Sequence, residues 1–309
     1  MIWLSWRQHR LELLLTLVLA FGLAAAITVV TYQIPTGLAA VNQICSSASG
    51  SLCQAASQDF DQRFSGINTY FELALLVLPG LAGVFIGAPL LAREFEQGTV
   101  RLVWTQGITR VRWFGITLAL ILGVVLLASS VLALAGANMV WSQEGIFSSR
   151  WYTFDIQGPA FVGHAIFAVA LGTAAGALIR RTVPAMGATL VAFVAIQLSV
   201  YNWVRPNYLP PLHVDESTPI DLDNSWNLGT RAVDLSGHSV SDQYYQQLLA
   251  NMGSLPGSVD DYFRAHGVIV LQVYQPESRF WLFQGIEAAL FVLLAAMLLG
   301  AAMWLIRRA

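Results

Sequence analysis

The chain has 309 residues, 56% of them hydrophobic and only 11% charged, with a net charge of −2. A soluble domain of this size needs far more polar surface, and a chain with no lysine and no basic excess offers no electrostatic footprint for a nucleic acid. What remains is a protein of the lipid bilayer.

The predicted elements begin with Trp3, Leu4 and Trp6 set among Arg7, His9 and Arg10. That composition suits a short helix lying in the inner membrane interface, and equally suits the basic flank of a first span. Six apolar runs follow, each close to the roughly 20 helical residues that cross about 30 Å of hydrocarbon. They are Leu11 to Tyr32, Tyr70 to Ala92, Phe114 to Met139, Pro159 to Ile179, Val183 to Val204 and Trp281 to Ile306. The first run is too long for the apolar core of a cleaved signal, although Ala24, Ala25 and Ala26 resemble a cleavage site, so it is read as a retained span.

Between the first two runs lies an outer loop with Cys45 and Cys53. An exported compartment favours a disulfide between them over two unpaired thiols, and with no histidine nearby no metal site is expected. Pro79, Gly80, Gly83, Gly87 and Pro89 interrupt the second run and predict a kinked helix. Such helices often line a pathway, for which Pro79 and Gly83 are the candidates, but Gly and Pro are also simply common in membrane helices.

The only sizeable inner loop, between Ala92 and Phe114, is dense with Arg93, Glu94, Glu96, Gln97, Gly98, Thr99, Arg101, Thr105, Gln106, Arg110 and Arg112. The other inner connection, Arg180, Arg181 and Thr182, is a tight turn. From Arg205 to Pro276 the chain reads as a small outer domain. Ser241 to Met252 has a capping serine and helical spacing, Ser258 to His266 repeats the pattern before Gly267, and Val268 to Tyr274 alternates like a strand. The expected fold is therefore an all-α polytopic membrane protein of six transmembrane helices with a small α/β extracytoplasmic domain between helices 5 and 6. The divisions are 1–204, 205–276 and 277–309, with the inner loop at 93–113.

Arginine alone fixes the orientation. Arg7, Arg10, Arg93, Arg101, Arg110, Arg112, Arg180, Arg181, Arg307 and Arg308 fall on one side, which is read as the cytoplasm and holds both termini. Arg63, Arg150, Arg205, Arg231, Arg264 and Arg279 are spread over the longer outer segments with most of the acids. Trp3, Trp6, Trp113 and Trp304 mark inner boundaries, and Trp141, Trp151, Trp203 and Trp281 outer ones. The chain is thus a multi-pass protein of the plasma membrane.

Chemistry is conspicuous by what it lacks. A nucleotide-hydrolysing P-loop needs a lysine, and neither a G-x-S-x-G elbow nor an H-E-x-x-H helix is present. Asp221-Leu-Asp223-Asn opens like a calcium loop, but Trp226 stands where glycine is required. Glu72, His164 and Glu287 lie within or near spans, where ionisable groups are costly. They form no recognisable pair in the sequence, and Glu287, the deepest, is read as a pathway-lining group.

The run Glu94-Phe-Glu96-Gln-Gly98-Thr99, followed by Trp104-Thr105 and Thr109-Arg110-Val-Arg112-Trp113, resembles the first cytoplasmic loop of ATP-binding-cassette (ABC) exporter permeases of the type-2 class. The opening Trp6-Arg7-Gln8-His9-Arg10 and the stretch Tyr274-Gln275-Pro276-Glu277-Ser278-Arg279-Phe280-Trp281 are similar to the actinobacterial branch of that family. The resemblance implies that the loop forms a coupling helix seated in a groove of a separate ATPase subunit, with ATP and Mg bound by that partner and no cofactor in this chain. Glu94, Glu96, Gly98, Thr99, Arg101, Trp104, Thr105, Arg110 and Arg112 would carry the coupling, and Trp3, Trp6, Arg7 and Arg10 would form the interfacial segment. A second permease is the implied partner in the bilayer, either another copy of this chain in a homodimer or a similar permease. The sequence departs from the commoner pattern in having no lysine after the loop and a long outer domain, which leaves the substrate open beyond a hydrophobic or amphipathic class. A different reading is a membrane-embedded sensor or accessory protein whose outer domain binds a ligand; an intramembrane enzyme lacks a catalytic set. Without a P-loop lysine the purified chain should show no ATP turnover, hydrolysis appearing only with a cassette subunit added; turnover by the chain alone, free of contaminating ATPases, would refute this.

Overall fold

A computed structural model describes residues 2–47, 50–97, 110–142, 150–215, 224–251 and 259–308, apart from the side chains of residues 2, 4, 5, 8, 9, 110, 111, 259 and 260. Within these, six helical segments are long and apolar enough to cross a membrane. In hydrocarbon no water satisfies the main chain, so an apolar run of this length closes its own hydrogen bonds as a helix.

Helix α1 (Ile2–Ser47) is unbroken for 46 residues. The expected interfacial segment is therefore not a separate element before a turn into the membrane, because the backbone stays helical from Ile2 through the first span. At 1.5 Å per residue α1 is about 69 Å long, more than twice the hydrocarbon thickness. Its outer half pairs with the start of α2 (Ser51–Ala82), so the outer loop expected between the first two runs is a helical hairpin. Ile34, Phe60 and Phe64 are buried in it with Val30, Leu38 and Val41 around them, and a Cβ on Gly37 would meet the Phe60 ring at 3.0 Å. A Cys45–Cys53 disulfide with Cα atoms 4.6 Å apart joins the two helices at the tip.

The second span continues from α2 through a π-helical turn at Gly83–Gly87 into α3 (Ala88–Glu96). The predicted interruption is thus a widened turn inside a continuous helix, a usual consequence of small residues where another chain segment presses in. Here that segment is the fourth span, α5 (Gly158–Ile179). A Cβ on Gly172 would sit 2.2 Å from the Gly83 carbonyl oxygen, and one on Gly83 2.5 Å from that of Ala168. The two helices meet backbone to backbone, as small residues permit in membranes.

The third span, α4 (Arg110–Ser142), packs against α1 and α5. The fifth is α6 (Thr182–Ser199), which runs on through a π turn at Val200–Val204 and a 3-10 turn at Arg205–Asn207. Outside it lie β1 (Leu212–Asp215), β2 (Trp226–Asp234), helices α7 (Asp242–Asn251) and α8 (Val259–Ala265), and β3 (Val268–Gln275). The strands form an antiparallel sheet in the order β1-β3-β2, with a bulge in β2 between Asn227 and Gly229. Leu248 and Phe263 from the two helices are buried against Val268 and Val270 of β3. Helices and strand thus fall where the serine cap, Gly267 and the alternation place them; β1 and β2 carry no comparable pattern. The sixth span, α9 (Phe280–Arg308), packs mainly on α5.

Gly172→Ala should lower the stability of the detergent-solubilised protein by about 1–3 kcal/mol, the cost of overpacking a closed contact. Gly123→Ala, at a site with nothing within 4 Å, should not lower it. Thermal unfolding of both variants checks the comparison.

Candidate functional site

Two polar constellations stand out in this apolar body, one at each end of the spans. At the end that the arginine distribution marks as inner, α3 is held by three neighbouring spans. Arg93 pairs with Glu12 of α1 at 3.3 Å. Glu96 Oε2 accepts from the Thr182 amide at 3.1 Å and from its hydroxyl at 2.7 Å. Thr182 opens α6, and Arg181 before it supplies no side-chain cap. Glu96 therefore satisfies an orphan amide at the start of a neighbouring helix, where the dipole favours negative charge. Arg180, in the left-handed conformation at φ 58° that ends α5, lays its guanidinium 5.1 Å from the centre of the Phe95 ring. The end of the second span is thus tied to spans one, four and five.

Glu94 is partly buried and Arg112 exposed in the first turn of α4. Arg110 is the first residue of α4, its side chain lying outside the described residues, as do Gly98, Thr99, Arg101, Trp104 and Thr105 altogether. Trp3, Trp6, Arg7 and Arg10 are exposed on the first turns of α1, with Arg7 lying 5.3 Å from the Trp3 ring centre.

At the outer end the structure corrects the sequence reading. His164 and Glu287 do form a pair: Nε2 of His164 lies 3.0 Å from Oε1 of Glu287, and both side chains are within 1% of complete burial. Arg205, counted from sequence among the solvent-facing outer arginines, is only 3% exposed and joins them. Its Nε donates to Glu287 Oε2 at 2.8 Å and its Nη2 to Oε1 at 2.6 Å. The same guanidinium bonds both oxygens of Asp155, which is 21% exposed and opens the cluster to the outside. Tyr208 donates to Glu287 Oε2 at 3.1 Å, and burial beside that carboxylate pushes its phenol above the ordinary value, so it stays a donor. The Phe154 ring lies 4.1 Å from the guanidinium carbon.

Of the residues read as pathway-lining, Glu287 is a buried counter-ion within this chain, Gly83 is closed against Ala168, and Pro79 lines an apolar groove. No sequence separation hinted at the cluster, because its members come from the ends of three spans; the arginine directly after a span was the signal to follow.

Potential ligand atoms of Asp155, His164 and Glu287 lie within 4.8 Å of one another. Arg205 already bonds both carboxylates, so a metal ion would have to displace a buried guanidinium that balances them. What the arrangement can do is join: it ties the turn before α5 to α9 and to the start of the outer segment. An aromatic box reinforces it, with Trp151, Phe154, Phe280 and Phe283 buried together against Trp226 of β2. Gln284 completes the join, donating to the Phe154 carbonyl at 2.8 Å and accepting from the Ala160 amide at 2.9 Å.

Glu287→Gln should cost about 3–5 kcal/mol, because it leaves a buried guanidinium short of charge. The double change Glu287→Leu with Arg205→Met should recover most of the loss. Thermal melting of the purified variants reads both outcomes.

A family model described as ABC-2 membrane transporter related matches residues 16–205, more than half of the chain, from within the first span to near the end of the fifth. No curated protein and no solved structure gives a significant match. With six candidate spans among the described residues and a family match across most of the helical body, the chain belongs to the ABC-2 membrane transporter related family and is a multi-pass membrane protein of permease type.

Proposed function

We propose that this chain is the membrane subunit of an ABC exporter, moving a hydrophobic or amphipathic substrate outward with energy from a separate ATPase subunit. Two permease copies would form the path between them, with both termini in the cytoplasm as the arginine distribution favours. The segment 205–276 would act as an outer domain that caps the exit, consistent with its join to the ends of spans four to six.

The observation that carries this reading is the clamp at the inner end of the second span. Through Arg93, Phe95 and Glu96 that end is linked to α1, to the turn at Arg180 and to the start of α6. A push delivered to the segment 93–113 would therefore move several spans together rather than bend one helix end. In this reading Glu96 has a different role from the docking charges. It passes force to α6, while Glu94, Arg110 and Arg112 face the partner.

The two roles predict different failures. Arg110→Glu or Arg112→Glu should weaken recovery of the ATPase subunit, since one charge-assisted bond at a desolvated contact is worth about 1.5–3 kcal/mol, roughly a tenfold to hundredfold change in affinity. Glu96→Arg should instead leave the subunit bound but reduce substrate-stimulated turnover. Arg63→Glu, on the outer hairpin, should change neither. Co-purification and stimulated ATPase activity are measured for each; normal values for all three inner variants would remove the coupling role from this segment.

A further inference from the structure

The fixed charges of the outer cluster do not balance. Arg205 brings one positive charge, and the carboxylates of Asp155 and Glu287, both bonded to its guanidinium, bring two negative ones. Tyr208, kept a phenol by burial beside Glu287, adds none.

Among the described residues, nothing packed around the cluster makes up the difference. On the helices against α5, α4 carries no charge beyond Arg112, α6 none before Arg205, and α9 none besides Glu287 until Arg307 at its far end. The second span carries only Glu72 between Arg63 and Arg93, which is a further acid. In the surrounding outer turns, Arg150 and Glu277 pair with each other at 3.4 Å and cancel. Arg279 is turned to the Pro210 carbonyl and the Gln275 side-chain oxygen.

An uncompensated buried charge is costly, and one proton on His164 removes it. The imidazole is placed to hold that proton: Nε2 lies 3.0 Å from Glu287 Oε1, and the Phe291 ring stands 4.5 Å away, centre to centre, where an aromatic neighbour favours a cation. Asp155, the partly exposed member, gives water a way in. We propose that the cluster is a proton-binding site open to the outer side, in which one proton taken from water rests on His164 and two cations then face two carboxylates. When the proton leaves, one negative charge stays buried, and the join between α5, α9 and the start of the outer segment loosens. The attachment of segment 205–276 thus responds to the acidity outside. The site goes beyond the transport reading and needs neither an ATPase nor turnover.

The test is hydrogen exchange on the full chain in detergent, corrected for the intrinsic rate, at about pH 5 and about pH 8.5, either side of the ordinary histidine range near 6.5. Amides of 205–215 and 268–279 should exchange about tenfold faster at the higher pH, as a local opening answers the buried charge, while those of α4 keep one rate. His164→Gln, which offers Glu287 a donor but takes no proton, should exchange at the faster level at both pH values. Asp155→Asn, which leaves Arg205 balanced by Glu287 alone, should exchange at the slower level at both. These opposite patterns separate proton binding from simple loss of structure. A pH response of equal size in the wild type and His164→Gln, or none in the wild type, would overturn the site.

Discussion

The second and fourth spans touch through their backbones, and much of the inner architecture follows from that contact. A glycine at 172 lets the carbonyl of Gly83 come as near as a side chain would otherwise stand, and Gly176 does the same one turn further on against Ala88. With the helices this close, the second span takes a π turn instead of running straight, and its last turn reaches the start of α6. The Glu96–Thr182 bond and the Arg180–Phe95 stack are both short-range consequences. Neither would form if the two helices stood apart by even one methyl layer.

The outer end is organised by a different force. Burying Arg205 is tolerable only because two carboxylates, a histidine and a phenol meet there with an aromatic ring beside the guanidinium. Such a cluster adds little net stability compared with an apolar core, but its geometry is exacting. It sets where the outer sheet attaches, because Arg205 and Tyr208 come just before β1 and the β3 strand returns through Gln275 and Arg279. Gln275 donates to the Leu209 carbonyl at 2.9 Å and Arg279 to that of Pro210 at 2.8 Å, so both ends of the outer segment are pinned to the same place.

These two centres tie different parts of the helical body together. One joins the ends of spans one, two, four and five, and the other joins the turn before α5 to α9 and to the start of the segment 205–276. Between them the groove leaves one flank of the helical body unfilled by protein. Its walls come from α1, the second span, α4 and α5.

The sequence by itself determined the bilayer, the six spans and their approximate limits, because hydrophobicity over about 20 residues is a local property that needs no knowledge of neighbours. It also determined the disulfide pair, the α7 and α8 helices with their cap and stop, and the β3 alternation, all short-range signals. The helical hairpin was half legible: Ile34, Leu38 and Val41, and Phe60 with Phe64, keep helical spacing, but Pro35 and the serines around Cys45 read as a loop until the two helices are seen to cover each other. Only the tertiary structure decided that His164, Glu287, Arg205 and Asp155 form one cluster, that Glu96 caps a neighbouring helix and that Gly83 closes a contact instead of lining a path. Each of these depends on which faces of distant helices meet, and a run of apolar residues looks the same whichever side it turns to its neighbour or to lipid.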